Sequence, residues 1–574
     1  MRSILAGLVL GLSTPAYALE LWGTGPLANA SVQLTVDSEF RYHKSALDDP
    51  GKRVSGGPFE LLPSMDVHDY FEQVARFNLL VAKDGLNIGL QFDEVALFSN
   101  RYVLDGQEQA STPLYDPTVQ SPYKDAYFLI EKMFVSKKWD TVELTVGDTY
   151  ASFGRGLALN IVKNTDIDVD TSIRGAKGIF RTGDFDLTAI SGITNQQQIS
   201  QENPNVAIAP NVDHMVTGLR AEWFGPVNLG AHAVAYKFAR PTEIPLAVST
   251  SRYSSDLDVG IVGANFEANG VLGLDVYGEY ALYDYQAEDM TDGRGRLRGW
   301  ASYGSVAAYP GKAVVLLEAK ASKDTERLTT FTTIEGWEPA SIPTLEYERV
   351  ITEDGAAAVN SNDIMGTRLR VDYAIVPGTF TPYVATTLLV DKDTEGLHFN
   401  DSEETILHPM AGVEWQKGHW AAQVNAGMRT DRRKDTAEGS DRMVHLDGTF
   451  HFPLFGEEAL EVDIDAKKFE WGVNEQQQED FLEMANALVW HRGENWVFVF
   501  YQDWTDNPLV QSEGNLKFIG DNVYGALEAQ YKPSGNITYK AFYGAYKAGI
   551  RCSGGQCRSL PGFEGARVSV SGVF

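Results

Sequence analysis

Residues 367–373 read Thr-Arg-Leu-Arg-Val-Asp-Tyr, and residues 460–467 read Leu-Glu-Val-Asp-Ile-Asp-Ala-Lys. Both stretches alternate charged side chains with uncharged, mostly apolar ones at a period of two, which is the pattern of a β-strand. An ionised side chain is costly on a lipid face at the middle of a membrane. The two stretches therefore predict strands that turn one face to lipid and the other to a polar interior.

Short turns separate such strands in pairs along the whole chain. They combine residues that tolerate positive φ or preset a turn with flanking apolar runs. They centre on Lys83-Asp84-Gly85, Lys138-Trp139-Asp140, Thr182-Gly183-Asp184, Gly225-Pro226, Asn269-Gly270, Pro310-Gly311, Pro377-Gly378, Lys417-Gly418, Phe455-Gly456, Gly493-Glu494 and Pro533-Ser534-Gly535. Twelve long polar stretches alternate with these eleven turns, at 44–68, 100–125, 151–172, 195–213, 240–256, 284–297, 324–364, 392–405, 433–442, 471–480, 506–514 and 551–562. The connections predict about 24 strands, within a range of roughly 22 to 26.

An even strand count with alternating short and long connections is typical of Gram-negative outer-membrane barrels. A soluble barrel would place its apolar set inside, but so many strands enclose more space than side chains can fill. We predict an all-β fold, a transmembrane antiparallel up-and-down barrel over residues 19–574, with short periplasmic turns and long extracellular loops. The first strand is expected near Ala28, which leaves no room for a plug domain.

Residues 1–18 are predicted to be a cleaved signal peptide. Arg2 supplies a positive charge, an apolar run covers residues 4–12, and Ala16-Tyr17-Ala18 forms an A-x-A cleavage site. The alternative is an uncleaved buried helix. No other apolar stretch approaches the ~20 residues that a spanning helix needs.

Aromatic residues crowd the short turns and predict a girdle at a membrane interface; the alternative is ordinary aromatic enrichment in strands. They are Trp139, Phe180, Phe185, Trp223, Phe224, Tyr309, Phe380, Trp415, Trp420, Phe452, Phe455, Trp490, Trp496 and Tyr531. The last strand, residues 567–574, alternates apolar and polar side chains and ends in Phe574. This ending resembles the signal read by the barrel-assembly machinery, which is therefore an expected partner.

Four further segments carry a resemblance. They are Gly147-Asp148-Thr149-Tyr150 with Phe153-Gly154-Arg155-Gly156-Leu157, Asp170-Thr171-Ser172-Ile173-Arg174-Gly175, Pro343-Thr344-Leu345-Glu346, and 555–563 around Cys557-Arg558 and Pro561. Together they resemble a family of uncharacterised Gram-negative outer-membrane barrels, a domain of unknown function. Ile342-Pro343 stands where that family usually has Pro-Pro. The resemblance implies the fold and leaves the activity open.

The composition excludes some function classes. With 48 Lys and Arg against 78 Asp and Glu, the net charge is −30, so we expect no nucleic-acid binding by counterion release. Cys552 and Cys557 are the two cysteines, and export favours a disulfide between them over a metal site, for which no further ligands stand nearby. No Cys-x-x-Cys-His motif occurs, and we expect neither cofactor nor metal.

The third long loop, residues 151–172, is less polar than the others. In general porins the loop at the resembling place folds into the lumen and narrows it. We predict a lumen constriction in which basic and acidic groups oppose each other; the alternative is an external loop bonded to its neighbours. The candidates are Arg155, Lys163, Asp166, Asp168, Asp170, Arg174 and Lys177.

Charged and imidazole side chains on the other strands are predicted to line the lumen. They are Arg368, Arg370, Asp372, His408, His445, Asp447, His451, Asp463 and Asp465. Two outer-membrane enzyme classes, a protease and a phospholipase, use His with an acidic or amide partner. His445 and His451 are about 20 Å apart along an extended strand, and no serine-hydrolase, zinc-protease or P-loop motif occurs. We therefore predict a lumen lining and no enzyme.

These features favour a porin-like channel of the cell outer membrane, with access controlled by its loops. The alternative is a structural barrel that houses a lipoprotein, a cytochrome or a secretion component. The expected partners are membrane lipid, lipopolysaccharide and the assembly machinery, with a lumenal or periplasmic protein as a further candidate.

Overall fold

The computed structural model describes the strands, the short turns and part of the longer connections. It covers residues 19–20, 30–43, 66–67, 70–98, 101–104, 107–110, 126–163, 170–195, 214–238, 257–286, 296–325, 364–391, 404–433, 441–470, 480–506, 515–516, 519–520, 522–547, 549–553, 556–560 and 563–574. The predicted signal peptide, Asp166, Asp168 and residues 343–346 lie outside these ranges.

Twenty-four long strands form one antiparallel sheet. The first twelve are β1 Ser31–His43, β2 Tyr70–Lys83, β3 Leu86–Phe98, β4 Ala126–Lys138, β5 Val142–Thr149, β6 Ser172–Thr182, β7 Phe185–Asn195, β8 Met215–Trp223, β9 Asn228–Phe238, β10 Leu257–Val271, β11 Leu274–Gln286 and β12 Arg296–Ala308. The others are β13 Ala313–Lys323, β14 Ile364–Tyr373, β15 Phe380–Asp391, β16 Glu404–Lys417, β17 Trp420–Arg433, β18 Asp441–Pro453, β19 Glu458–Glu470, β20 Phe481–Arg492, β21 Trp496–Thr505, β22 Val523–Ser534, β23 Ile537–Tyr546 and β24 Phe563–Val573.

The sheet closes on itself because β24 pairs with both β23 and β1. Backbone hydrogen bonds between Leu34 and Phe574, at 2.7 and 2.8 Å, complete this seam. Each strand pairs with the next along the chain, so the predicted 24-strand up-and-down barrel is confirmed. Among the described residues, no helix is long and apolar enough to cross a membrane.

The eleven short turns all lie at one end of the barrel, between the strand pairs where they were predicted. The turn after β2 has positive φ at Asp84 and Gly85, 46° and 76°, which is the backbone twist that suits a two-residue hairpin. One turn is shifted: β10 continues past Asn269-Gly270, with a bulge between Ala268 and Val271, and Leu272-Gly273 makes the turn.

The two faces of the wall differ as the alternation predicts. On β14, Leu369 is 41% exposed and the adjacent Arg368 is 1% exposed; on β18, Val444 is 47% exposed and His445 is 1% exposed. The apolar positions form the outer face and the charged positions the inner face, which is the arrangement of a barrel in lipid. Aromatic side chains beside the short turns are also exposed, including Trp139, Trp223 and Trp420, as a membrane-interface girdle requires.

Strand number sets the width of the lumen. With strands about 4.8 Å apart and tilted by about 40°, a circular 24-strand barrel is about 48 Å across between opposite Cα atoms. Side chains on such a wall cannot meet at the centre, so any narrowing has to come from a segment that folds inward.

Short strands form three small sheets that are separate from the barrel sheet. They are Ala151–Phe153 with Leu159–Ile161, Asp66–Val67 with Arg101–Leu104 and Gln107–Ala110, and Gly549–Ser553 with Gln556–Leu560; Leu19–Glu20 adds an edge to β1. In the last hairpin Cys552 and Cys557 are directly opposite each other. This register suits the predicted disulfide.

Candidate functional site

The described part of the third long connection, residues 150–163 and 170–171, is called loop L3 here. It forms a small hairpin in which Ser152 pairs with Asn160. Gly154 and Gly156 turn the chain with φ of 60° and 105°, a region that side chains other than glycine rarely adopt. Two of the four resemblance segments frame this loop.

L3 packs against the inner wall through apolar side chains. Phe153, Leu157, Leu159 and Ile161 are each at most 1% exposed. They belong to one apolar cluster with residues on the inward register of β7 to β12: Ile190, Val216, Val234, Tyr236, Ile261, Tyr283, Tyr285 and Tyr303 among them. The low polarity that singled out L3 in the sequence is therefore explained by a dry contact with the wall.

Wall side chains bind the L3 backbone directly. The Tyr236 and Tyr283 hydroxyls donate to the carbonyls of Ala158 and Leu157 at 2.6 and 2.7 Å. The Glu279 carboxylate accepts the Arg155 amide at 2.6 Å and the Tyr277 hydroxyl at 2.6 Å. A buried backbone group without a hydrogen-bond partner costs free energy. These contacts therefore give the L3 backbone groups their partners and hold the loop against the wall.

Two glycines allow the close approach of loop and wall. A Cβ at Gly154 would lie 2.4 Å from a Glu279 carboxylate oxygen, and a Cβ at Gly218 on β8 would lie 2.9 Å from the Phe153 ring. The two glycines therefore permit contacts between backbone and side chain that a residue with a Cβ would prevent.

The predicted constriction residues are distributed over three places and do not form one ring. Arg155 lies along β11 and β12, with its guanidinium 4.7 Å from the Tyr277 ring centre and 5.5 Å from that of Tyr303. Arg174 contacts Asp148, at 3.1 Å from Nη2 to Oδ2. That carboxylate is 4% exposed as a residue and also accepts from the Met133 amide, Ser172 and Asn195.

Three predicted residues do come together at the base of L3. Asp170 binds Lys163 at 2.9 Å and is in contact with Lys132 and the Tyr150 hydroxyl, and Lys177 donates to the Tyr150 carbonyl at 2.9 Å. Burial would raise the pKa of Asp170, but the two ammonium groups outweigh it and hold that pKa below its ordinary value. Lys132 was missed because a lysine on an ordinary alternating strand carries no local signal.

A second polar region covers the inner wall from β13 to β16. Arg368 binds Glu318 at 2.6 Å, and both side chains are at least nine-tenths buried. Arg370 binds Asp372 at 2.7 Å and Glu414 at 3.3 Å. In these ion pairs, charged side chains of the wall neutralise one another.

Two histidines from non-adjacent strands meet across a glycine. His408 on β16 and His445 on β18 approach to 2.8 Å between their Nε2 atoms, and the Nδ1 of His445 lies 2.5 Å from Asp447. Gly427, on the strand between them, makes room, since a Cβ there would lie 2.4 Å from the His445 ring. The register predicted that both histidines face the lumen, but not this contact.

The remaining predicted lining residues lie lower on the same wall. His451 is 3.8 Å from Glu461, Asp463 accepts from Thr449 at 2.7 Å, and Asp465 is 3.4 Å from Lys467. Within the described ranges, no group of three or more His, Cys, Asp or Glu side chains could hold a metal ion.

Comparison with known proteins finds solved structures of low similarity and no family. No protein-family model and no curated protein matches the chain. The siderophore receptor PirA from Pseudomonas aeruginosa is 9% identical, with a TM-score of 0.44 over 95% of this chain and 80% of that one. The outer membrane protein OpdK from the same species is 12% identical, with a TM-score of 0.34 over 72% of this chain and 96% of that one. The P pilus usher PapC translocation pore is 9% identical, with a TM-score of 0.36 over 94% of this chain and 99% of that one.

Proposed function

We propose that the chain is a passive, porin-like channel of the Gram-negative outer membrane whose lumen is narrowed by L3. The observation that carries this proposal is the burial of the L3 apolar side chains against the inner wall. A loop that is fixed inside a wide barrel changes the cross-section of the path, which is what a conduit needs. In the part of the chain that the structure describes, the inner face offers paired charges of both signs.

L3 narrows the lumen from one side and does not span it. Seven residues of one hairpin arm reach about 23 Å even when fully extended, against a width of about 48 Å. Its tip is bound to β9 and β11 through Tyr236 and Tyr283, so the loop follows the wall. The solute path we propose therefore runs beside L3.

Planar-bilayer recording of the purified full chain tests the proposal. We expect a steady conductance in KCl, and we expect Arg155→Ala to change the conductance or the ion selectivity, because it removes a positive charge where L3 meets the wall. A silent barrel, or traces that Arg155→Ala leaves unchanged, would count against a channel narrowed by L3.

The lumen width favours a second candidate, a scaffold that houses a lipoprotein, a cytochrome or a secretion component. A space about 48 Å across admits a folded partner beside L3. The scaffold predicts a stoichiometric partner that co-purifies with a silent barrel. In both cases we expect lipid, lipopolysaccharide and the barrel-assembly machinery as further partners.

A further inference from the structure

A recess of about 470 Å³ opens between L3 and the inner wall, on the side away from the apolar contact. Inward-facing side chains of β1 to β6 form its floor, and Tyr150, Lys163 and Asp170 of L3 form its rim. Its volume is in the range of small-molecule sites, ~300–1,000 Å³. The recess thus lies inside the barrel, and its volume suits a small-molecule solute.

Three lysines and two carboxylates line the recess. Lys132, Lys163 and Lys177 face Asp170 and Asp148, and Asp148 is already engaged with Arg174. Among the described residues that line the recess, Asp170 is the carboxylate left for these three ammonium groups, and Glu143 and Asp37 lie outside the lining but near Lys177 and Lys163. In a chain with a net charge of −30, three lysines around one recess stand against the overall composition.

Lys163 and Lys177 keep hydrogen-bonding capacity for a ligand. Lys177 donates one bond to the neutral Tyr150 carbonyl, and an ammonium group carries three donors. Lys163 binds Asp170, and its side chain is 47% exposed. A carboxylate that entered the recess would meet both groups.

An apolar surface lies beside these charges. Phe134 and Leu80 line the recess, and the Phe134 ring covers Gly89 so closely that a Cβ there would lie 2.1 Å from it. The ring is therefore held flat on the wall. A ligand that fits has an anionic head and an apolar body.

We propose that this recess binds small organic monocarboxylates with an apolar body. The inference rests on the proposed channel function, of which it names the solute class. Lys177 and Lys163 bind the carboxylate, and Phe134 packs against the apolar part. Inorganic anions would use the lysines without the ring and bind more weakly.

Calorimetric titration of the full chain in lipid nanodiscs tests the inference with hexanoate and its uncharged amide, hexanamide. We expect hexanoate to bind and hexanamide to bind at least about tenfold more weakly, since a charge-assisted hydrogen bond is lost. Lys177→Gln should weaken hexanoate by a similar factor. Lys163→Gln provides a second variant if the first does not fold, as judged by heat-modifiable mobility in gels.

Lys540→Gln is the matched control. Lys540 is an exposed lysine on β23 that does not line the recess, and its replacement should leave hexanoate binding unchanged. Equal binding of hexanoate and hexanamide, chloride binding as tight as hexanoate, or equal effects of Lys177→Gln and Lys540→Gln would overturn the inference.

KCl conductance separates the two proposals. A conducting barrel that does not bind hexanoate refutes the binding site alone. A silent barrel that binds hexanoate refutes the channel alone.

Discussion

Replacing Phe153 with Ala tests whether L3 is a folded part of the lumen. The ring is 1% exposed, lies against Gly218, and has its centre 6.1 Å from that of His232. Truncating a buried Phe to Ala costs about 3–5 kcal/mol. Because Phe153 belongs to the loop and not to the wall, we assign this cost to the packing of L3 and not to the barrel.

A cost of about 3–5 kcal/mol lowers the ratio of packed to released L3 by about two to four orders of magnitude. When opening and closing are faster than cleavage, proteolysis follows the population of the released loop. In proteoliposomes, thermolysin should therefore cleave Phe153→Ala within residues 151–163 faster by the same factor. Conductance should become noisier as L3 leaves the wall.

Phe128→Ala is the matched control, because Phe128 is 54% exposed on the outer face. The same truncation there should leave L3 cleavage unchanged. Gly218→Ala should also release L3 in the parent chain, and should have little effect once Phe153 is Ala, because the two share one contact. A rise below tenfold in Phe153→Ala, or equal rises in both Phe variants, would refute the packing of L3 on the wall.

Three further predictions concern other parts of the barrel. Cys552→Ser should expose one maleimide-reactive thiol at Cys557 and destabilise its hairpin by about 2 kcal/mol, whereas free thiols in the parent chain would contradict the disulfide. Arg368→Met should lower barrel stability in urea by about 3–5 kcal/mol, because it leaves the buried Glu318 carboxylate without its ion pair; a smaller loss would mean that water reaches the pair. The lowered pKa of Asp170 stabilises packed L3 above the ordinary carboxyl range, and this contribution is lost as pH falls through the depressed pKa. L3 cleavage should thus stay flat from about pH 8 to 5 and rise only below about pH 4, and a rise near neutral pH would contradict that sign.

The barrel could be predicted from sequence because each of its determinants is local. Alternation within seven residues indicates the two faces of a strand. A turn such as Asp84-Gly85 is indicated by residue types that tolerate positive φ. The one displaced turn shows the limit of this reasoning. At Asn269-Gly270 the backbone amide of Gly270 donates to the Asp275 side chain at 2.7 Å. The strongest turn sequence therefore forms a bulge, and the turn itself lies three residues later, at Leu272-Gly273.

The candidate site could be predicted only in part because its contacts are non-local. The apolar content of L3 indicated that the loop packs on something, but its partners Glu279 and Tyr283 are 124 and 126 residues away from the atoms they bind. The same holds for His408 and His445, which meet only because Gly427 separates them on the intervening strand. Such contacts become readable once the register is known, since Gly427 pairs with both Met410 and His445.

The division of L3 into a dry side and a charged side follows from what the wall offers each of them. Toward β7 to β12 the inner face carries Ile190, Val234 and the tyrosines, so the loop buries apolar side chains and its carbonyls accept hydrogen bonds from the tyrosine hydroxyls. Toward β1 to β6 the wall carries amides, lysines and the Asp148 carboxylate, and Asp170 binds the lysines on that side. A loop that only filled space would need neither asymmetry nor buried charge. Under the proposed function, the charged side with Lys132 and Asp170 would select solutes, while the dry side holds the loop in place.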